Sequence, residues 1–190
     1  MQHPDPHFKS AAPFAMRQGV RTLPAWSLPA FAAAACLLLP AGPATARDSL
    51  GIFSDWGAFR DPAIPRCYAI AMARPSTRAR DYQPFASIGT WPRRDIRNQI
   101  HFRLSRKLAA GSPITLRIGR GQHFELAGGG GDAWAQDKRM DAAIVAAMRS
   151  AGSMSVTARD ARGNSFADNY ALGGAATAMD AATIGCARLR

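Results

Sequence analysis

Apolar positions recur at every second residue through much of the chain, in short runs bounded by Pro, Gly and Arg-rich stretches. A strand sends successive side chains to opposite faces, so these runs predict half-buried strands over residues 52–59, 67–73, 85–91, 98–104 and 114–126. The breaks fall at Asp61-Pro62, Arg74-Pro75, Trp91-Pro92 and Gly111-Ser112-Pro113, where proline removes a ladder donor and glycine frees the backbone. Alternation is clearest where Ile100, Phe102 and Leu104 share one face and His101, Arg103 and Ser105 the other. The first set is expected inside and the second in water.

Within residues 114–126 the parity also predicts a register. Ile114, Leu116 and Ile118 fall on one face, as do Phe124 and Leu126, so a hairpin that buries both sets must pair even-numbered with even-numbered residues. The loop then has an odd length, and Gly119-Arg120-Gly121 fits with a glycine for the positive-φ position. Leu116 is expected beside Phe124 inside, with Arg117 beside His123 and Thr115 beside Glu125 outside. The run Gly128-Gly129-Gly130-Gly131 then marks a sharp change of direction.

The period changes after residue 137. Met140, Ile144, Ala147, Met148 and Ala151 recur at helical spacing, with Asp137 as the N-cap and Gly152 as the expected C-terminal stop. A strand over residues 153–158 puts Met154 and Val156 inward. The turn at residues 160–164 leads to Phe166, Tyr170 and Leu172. Asp168 shares their parity, so the strand must end, bulge or offer that carboxylate a partner. Ala175, Met179, Ala182 and Cys186 form one stripe of a C-terminal helix, which aims the cysteine back toward strand-borne Cys67.

The N-terminal region follows another pattern. From Met16 a short basic stretch with Arg17 and Arg21 precedes an apolar run over residues 23–39, and Ala44-Thr45-Ala46 stands ahead of charged Arg47. That is the order of a secretory signal, so residues 1–46 read as an extension plus signal peptide cleaved after Ala46, with Met1 or Met16 as the start. A retained membrane anchor fits less well, because Pro24, Ser27, Pro29 and Pro40 interrupt a run that needs about 20 apolar residues to span. A lipidated Cys36 is a third reading, but Leu37-Leu38-Leu39 follows where a polar tether would begin. Residues 47–190 are then one domain in the periplasm or outside the cell, with no spanning segment expected.

Composition agrees. Of the 190 residues 47% are hydrophobic and 19% charged, which suffices for a core and excludes a disordered tail, a coiled coil or a collagen-like fibre. Three cysteines are present, and Cys36 leaves with the signal. In an oxidising compartment the remaining Cys67 and Cys186 most simply form a disulfide. The rival is a redox pair, which lacks a Cys-x-x-Cys spacing.

The mature chain bears a family resemblance. It has a signal, a first strand carrying Trp56, the motif Arg66-Cys67-Tyr68-Ala69, hairpins, a Gly-rich break and a helix over residues 139–150. Gly152-Ser153-Met154-Ser155-Val156 and Asn169-Tyr170-Ala171-Leu172 follow, before a small-residue helix. In this order it resembles the invasion associated locus B family of alphaproteobacterial envelope proteins over nearly all of residues 50–190. The resemblance implies an exported, disulfide-containing domain of β-sandwich-like kind without an established enzymatic activity. Where many members carry further cysteines, this chain has Ala58-Phe59-Arg60 and Gly130-Gly131-Asp132-Ala133-Trp134, so no second bridge is expected. The expected fold is mainly β, an antiparallel β-sandwich-like single domain with one or two packed helices.

Catalytic signatures are sparse. His101 and His123 sit on outward strand faces without a spacing that holds zinc or an obvious orienting acid, and a joint site with Glu125 would need their strands adjacent. Ser153 lacks the Gly-x-Ser-x-Gly elbow, and neither glycine cluster is a phosphate loop. Asp132, Asp137 and Asp141 suit a helix start and its dipole; they lack the ordered loop of a calcium site. Trp56, Trp91 and Trp134 are read as packing residues. No cofactor or metal is expected.

Charge is the remaining signal. The whole chain carries +11, and with three of its 24 basic and one of its 13 acidic residues in the leader, residues 47–190 keep about +9. Arg93, Arg94, Arg97, Arg103, Arg106 and Lys107 form the densest run and are the candidate anion-binding residues. Expected partners are anionic envelope lipids, lipopolysaccharide or host glycans, not nucleic acid. The bland alternative is a scattered basic surface. Together these readings describe an exported, non-catalytic envelope protein, an interaction or adhesion-type module. The alternative is a periplasmic enzyme or enzyme inhibitor without a readable motif. A concave pocket gathering Asp168, Tyr170 and a histidine would favour the enzyme, and a flat basic face the binder.

Overall fold

The structure is a computed structural model that describes residues 47–187; the leader, with its cleavage site, lies outside the described residues. Ten strands form a single antiparallel sheet: β1 (Asp48–Phe53), β2 (Trp56–Asp61), β3 (Arg66–Met72), β4 (Phe85–Trp91), β5 (Ile96–Arg103), β6 (Ile114–Ile118), β7 (Gln122–Gly129), β8 (Asp132–Trp134), β9 (Ser153–Arg159) and β10 (Ser165–Ala171). Their spatial order is β1-β2-β3-β4-β5-β8-β7-β6-β9-β10. Two helices, α1 (Lys138–Ser150) and α2 (Ala175–Ala187), complete the domain. The sheet folds over itself in a sandwich-like way, as expected: Phe102 of β5 meets Tyr170 of β10 with ring centroids 5.9 Å apart, and the buried Trp56 indole of β2 donates to Ala171 O of β10 at 2.9 Å. No helix among the described residues is long and apolar enough to cross a membrane.

The parity argument holds at its most specific point. Leu116 pairs with Phe124, Arg117 with His123 and Thr115 with Glu125, around a Gly119–Gly121 loop in which Gly119 adopts φ +58°. Ile100, Phe102 and Leu104 are fully buried, as are Met154 and Val156. Ser105, expected in water, is buried instead: its N–H donates to Asp168 and its carbonyl accepts from the N–H groups of Asp81 and Tyr82.

Residues 52–59 are two strands. A two-residue turn at Ser54-Asp55, with Ser54 at φ 52°, opposes Phe53 to Trp56, and no Gly or Pro marks it in the sequence. The three-residue β8 also escaped the pattern, being too short to alternate. It pairs β5 with β7 and ends the Gly-rich stretch.

Helix α1 starts where expected, with the Asp137 side chain accepting Met140 N–H at 2.7 Å. It ends at extended Ala151 rather than at a left-handed glycine, and Gly152 serves as an acceptor for Leu172 N–H. Asp141 is buried and takes Ile100 N–H at 2.8 Å, pinning α1 to β5; burial pushes its pKa up against that bond. Helix α2 buries Ala175, Ala178, Met179, Ala182 and Cys186 against β1 to β4. Its approach requires Gly174, whose φ is +83° and whose Cβ would run into the carbonyl of Phe53. The stripe delivers Cys186 to Cys67, and the two form a disulfide with their Cα atoms 5.6 Å apart.

Candidate functional site

Beyond β3 the chain touches β10 at two points before leaving it. Arg74 N–H donates to Asn169 O at 2.8 Å, and four residues later the Arg78 guanidinium reaches Ser165 O at 3.2 Å. Ser76, two residues on from Arg74, makes no main-chain bond to β10 among the described residues. The segment peels away and leaves an open groove of about 970 Å³. Ser76, Arg78 and Arg80 line one wall and Thr115, Thr157 and Arg159 the other, with residues 165–169 of β10 between them.

Four arginines face this groove, in two electrostatic situations. Arg106 is paired with Asp160 Oδ2 at 3.1 Å and also donates to Ala79 O. Arg78, Arg80 and Arg159 donate only to carbonyls: Ser165 O, Arg74 O at 2.8 Å and Gly163 O at 3.0 Å. Among the described residues none of these three has a carboxylate within ion-pair distance. A guanidinium carries five N–H donors in a fixed fork, so each is held in place with donors and charge to spare.

Two buried aspartates organise the groove wall, and their pKa values are shifted in opposite directions. Burial works against ionisation of Asp160, but the N–H groups of Asn164 and Arg162, both at 2.9 Å, and the Arg106 guanidinium outweigh it and hold the pKa at about 2. Asp168 is the inward carboxylate that the sequence required to find a partner, and it accepts Ser105 N–H at 2.8 Å. There burial dominates and raises the pKa, against the bonds from Ser105 and the nearby charge of Arg80. Tyr170, two residues on, is fully buried; burial first and the Asp168 charge second push its phenol up. Its hydroxyl and Arg80 Nε are both buried without a hydrogen-bond partner among the described residues.

The run predicted to bind anions is divided. Arg93 and Arg94 lie on a 3-10 turn, Pro92–Arg94, and stand in solvent with Arg97, whose closest acid is Asp95 at 4.0 Å. Strand β5, about 23 Å long at the usual rise, separates them from the rest. Arg103 covers the Tyr82 ring at 3.8 Å and pairs with Asp132, while Lys107 is exposed. Of the six, Arg106 alone lines the groove. Arg78, Arg80 and Arg159 were missed. The outward parity of Arg159, opposite to Met154 and Val156, was readable, but nothing local shows that residues 76–80 return beside β10.

His101 has the orienting acid that the sequence did not reveal: Nε2 lies 3.0 Å from Asp132 Oδ1, and the ring stacks on Trp134 at 5.1 Å. Trp134 is 38% exposed, unlike fully buried Trp56. His123 lies on β7, separated from β5 by β8, so the two histidines do not join. Neither lines the groove, which has Asp168 in its lining but not Tyr170. Among the described residues no three His, Cys, Asp or Glu side chains come together as metal ligands. No family model, curated protein or solved structure matches this chain, so what the groove can do is argued from its own geometry.

Proposed function

We propose that this domain is an exported, non-catalytic envelope module that holds an anionic ligand in the groove between residues 76–80 and strands β9 and β10. The observation that carries the reading is the set of three guanidiniums, Arg78, Arg80 and Arg159, tethered by carbonyls around one concavity with no carboxylate within ion-pair distance among the described residues. Tethering lowers the entropy lost on binding, and spare fork donors suit carboxylate, phosphate or sulfate oxygens. Export and membership of the invasion associated locus B family belong to the same proposal. They rest on the signal-like leader and the order of motifs from Trp56 to Leu172. The enzyme reading is less well supported, because both acids in the lining are engaged, Asp160 by Arg106 and Asn164, and Asp168 by Ser105, and no histidine lines the groove.

The test is a titration of the chain recovered from its envelope fraction with inorganic tripolyphosphate and with anionic phosphatidylglycerol vesicles, at low and high salt. Arg78→Gln with Arg159→Gln is expected to weaken binding about 5- to 10-fold at low salt. Replacing Arg93, Arg94 and Arg97 by Gln should change it less than about twofold. The reverse ranking would move the site to the β4–β5 turn, and no binding to either probe would remove the anion reading. The mass of the same material tests export: a chain beginning at Arg47 is expected, and one retaining residues 1–46 would remove the envelope premise.

A further inference from the structure

We infer that the groove takes an extended acidic peptide, which adds to the free edge of β10 as a short extra strand. The inference rests on the groove being an anion site and names the class of ligand. It starts from the direction of the β10 carbonyls. Those of Ser165, Asn169 and Ala171 accept from Arg78, Arg74 and Trp56, all on the side away from β9. Alternate residues of a strand point their N–H and C=O groups the same way. Ala167 therefore presents both of its main-chain groups to that edge, where no group among the described residues takes them.

The gap is a missing rung. Arg74 meets Asn169 through the main chain, the Arg78 guanidinium reaches Ser165 O, and no group among the described residues meets the main chain of Ala167 between them. The rung at Arg74 is a main-chain bond, the middle one is unmade, and the contact at Ser165 is a single side-chain bond of 3.2 Å that a competing donor can replace. The groove opens where these two segments diverge. An incoming strand would find the N–H and C=O of Ala167, then the carbonyl of Ser165 once Arg78 turns to the ligand.

Charge selects the occupant. Open strand edges invite pairing with a second copy, and charged side chains are the usual defence. Here Arg78 stands beside the edge and Arg159 one strand in, both lining the groove, so a strand with carboxylates at alternate positions would meet opposite charge, which a second copy of this basic edge does not offer. A phosphate or a lipid headgroup would use the guanidiniums but has no use for the Ala167 pair. Strand addition uses both, with main-chain bonds giving affinity and alternate side chains giving selection.

The experiment is fluorescence anisotropy on the full chain as recovered, with a labelled, end-blocked pentapeptide alternating Glu and Thr. The comparison probes are the same peptide N-methylated at its central residue and inorganic tripolyphosphate. N-methylation is expected to weaken binding at least about tenfold, since it removes a main-chain donor at the edge. Ala167→Pro should weaken the unmodified peptide similarly and leave tripolyphosphate within about twofold, because proline deletes an edge N–H that the free protein does not use. If that variant fails to fold, the methylated peptide still decides. Equal affinity for the two peptides would overturn strand addition and leave an anion site. Tripolyphosphate binding without peptide binding would do the same, and a dimer in sedimentation that Ala167→Pro dissolves would assign the edge to a second copy. Failure of every probe would remove the anion reading with it.

Discussion

In the half of the sheet built from β1 to β5, helix α2 and the Cys67–Cys186 bridge supply the bracing, and the arginines of the Pro92–Arg94 turn stand in solvent. In the half built from β6, β7, β9 and β10, two buried aspartates hold the chain together, and the arginines around the groove are tied to carbonyls and to Asp160. Both regions are basic, and the first is the denser in sequence. The difference is that buried polar groups must be satisfied, so each aspartate draws in backbone N–H groups, Asp160 also holds Arg106, and the carbonyls of the chain fixed this way hold the other guanidiniums. The first half has buried acids of its own, Asp61 beside Arg66 and Asp141 on Ile100 N–H, but neither is paired with the arginines of the Pro92–Arg94 turn. Organised cations therefore arise where the polar bracing lies, and charge density along the chain points elsewhere.

The largest expected effect separates the two kinds of bracing. The bridge spans 119 positions, and the chain-entropy account gives a loop of that length about 4 to 5 kcal/mol, mostly by restricting the unfolded chain. Cys67→Ser with Cys186→Ser is expected to lower the urea-unfolding free energy by about that amount. Affinity for tripolyphosphate, measured well below the transition, should stay within about twofold, because neither cysteine lines the groove and the bridge lies at the far end of β3 from residues 76–80. A matching loss of affinity would show that the two halves are not independent.

The two aspartates are expected to move stability in opposite directions with pH. Asp160, held at about 2 in the fold, contributes stability that is fully present above its ordinary value near 3.8 and is lost as pH falls toward 2. Asp160→Asn should therefore cost most at neutral pH and approach the wild type near pH 2. Asp168 is raised by burial, so the folded state favours its protonated form, and its contribution declines as pH rises past the ordinary carboxylate value. Asp168→Asn, which keeps an oxygen to accept Ser105 N–H, should improve relative to the wild type between pH 3.5 and 7. Urea midpoints from pH 2 to 7 check both, and parallel curves would show that the groove's polar bracing does not depend on these charges.

What could be read from the residues follows from how local each signal was. The register around Gly119 needed only parity, the cap only Asp137 and its spacing, and the misfit of Asp168 only the demand that a buried carboxylate find a donor. Its donor, Ser105, lies 63 residues away and was itself expected in water. The groove combines residues 76–80, Arg106 and Arg159, three separate parts of the chain, and its opening turns on where residues 76–80 part from β10. Parity places side chains on faces; it does not say which edge a loop returns to.

The smallest expected effect tests how tightly the polar half is closed. The Tyr170 hydroxyl is buried beside Asp168 and Arg80, without a partner among the described residues. A tyrosine whose hydroxyl is hydrogen-bonded loses about 1 kcal/mol on change to phenylalanine, whereas one whose hydroxyl is buried and unsatisfied loses nothing or gains about as much. Tyr170→Phe is therefore expected to leave stability unchanged or raise it by up to about 1 kcal/mol. Its packing on Phe102 is kept, since only the oxygen is removed. A loss of about 1 kcal/mol would instead mean that an internal water joins the phenol to Asp168 and Arg80 Nε, extending the aspartate network to the very group that now stands outside it.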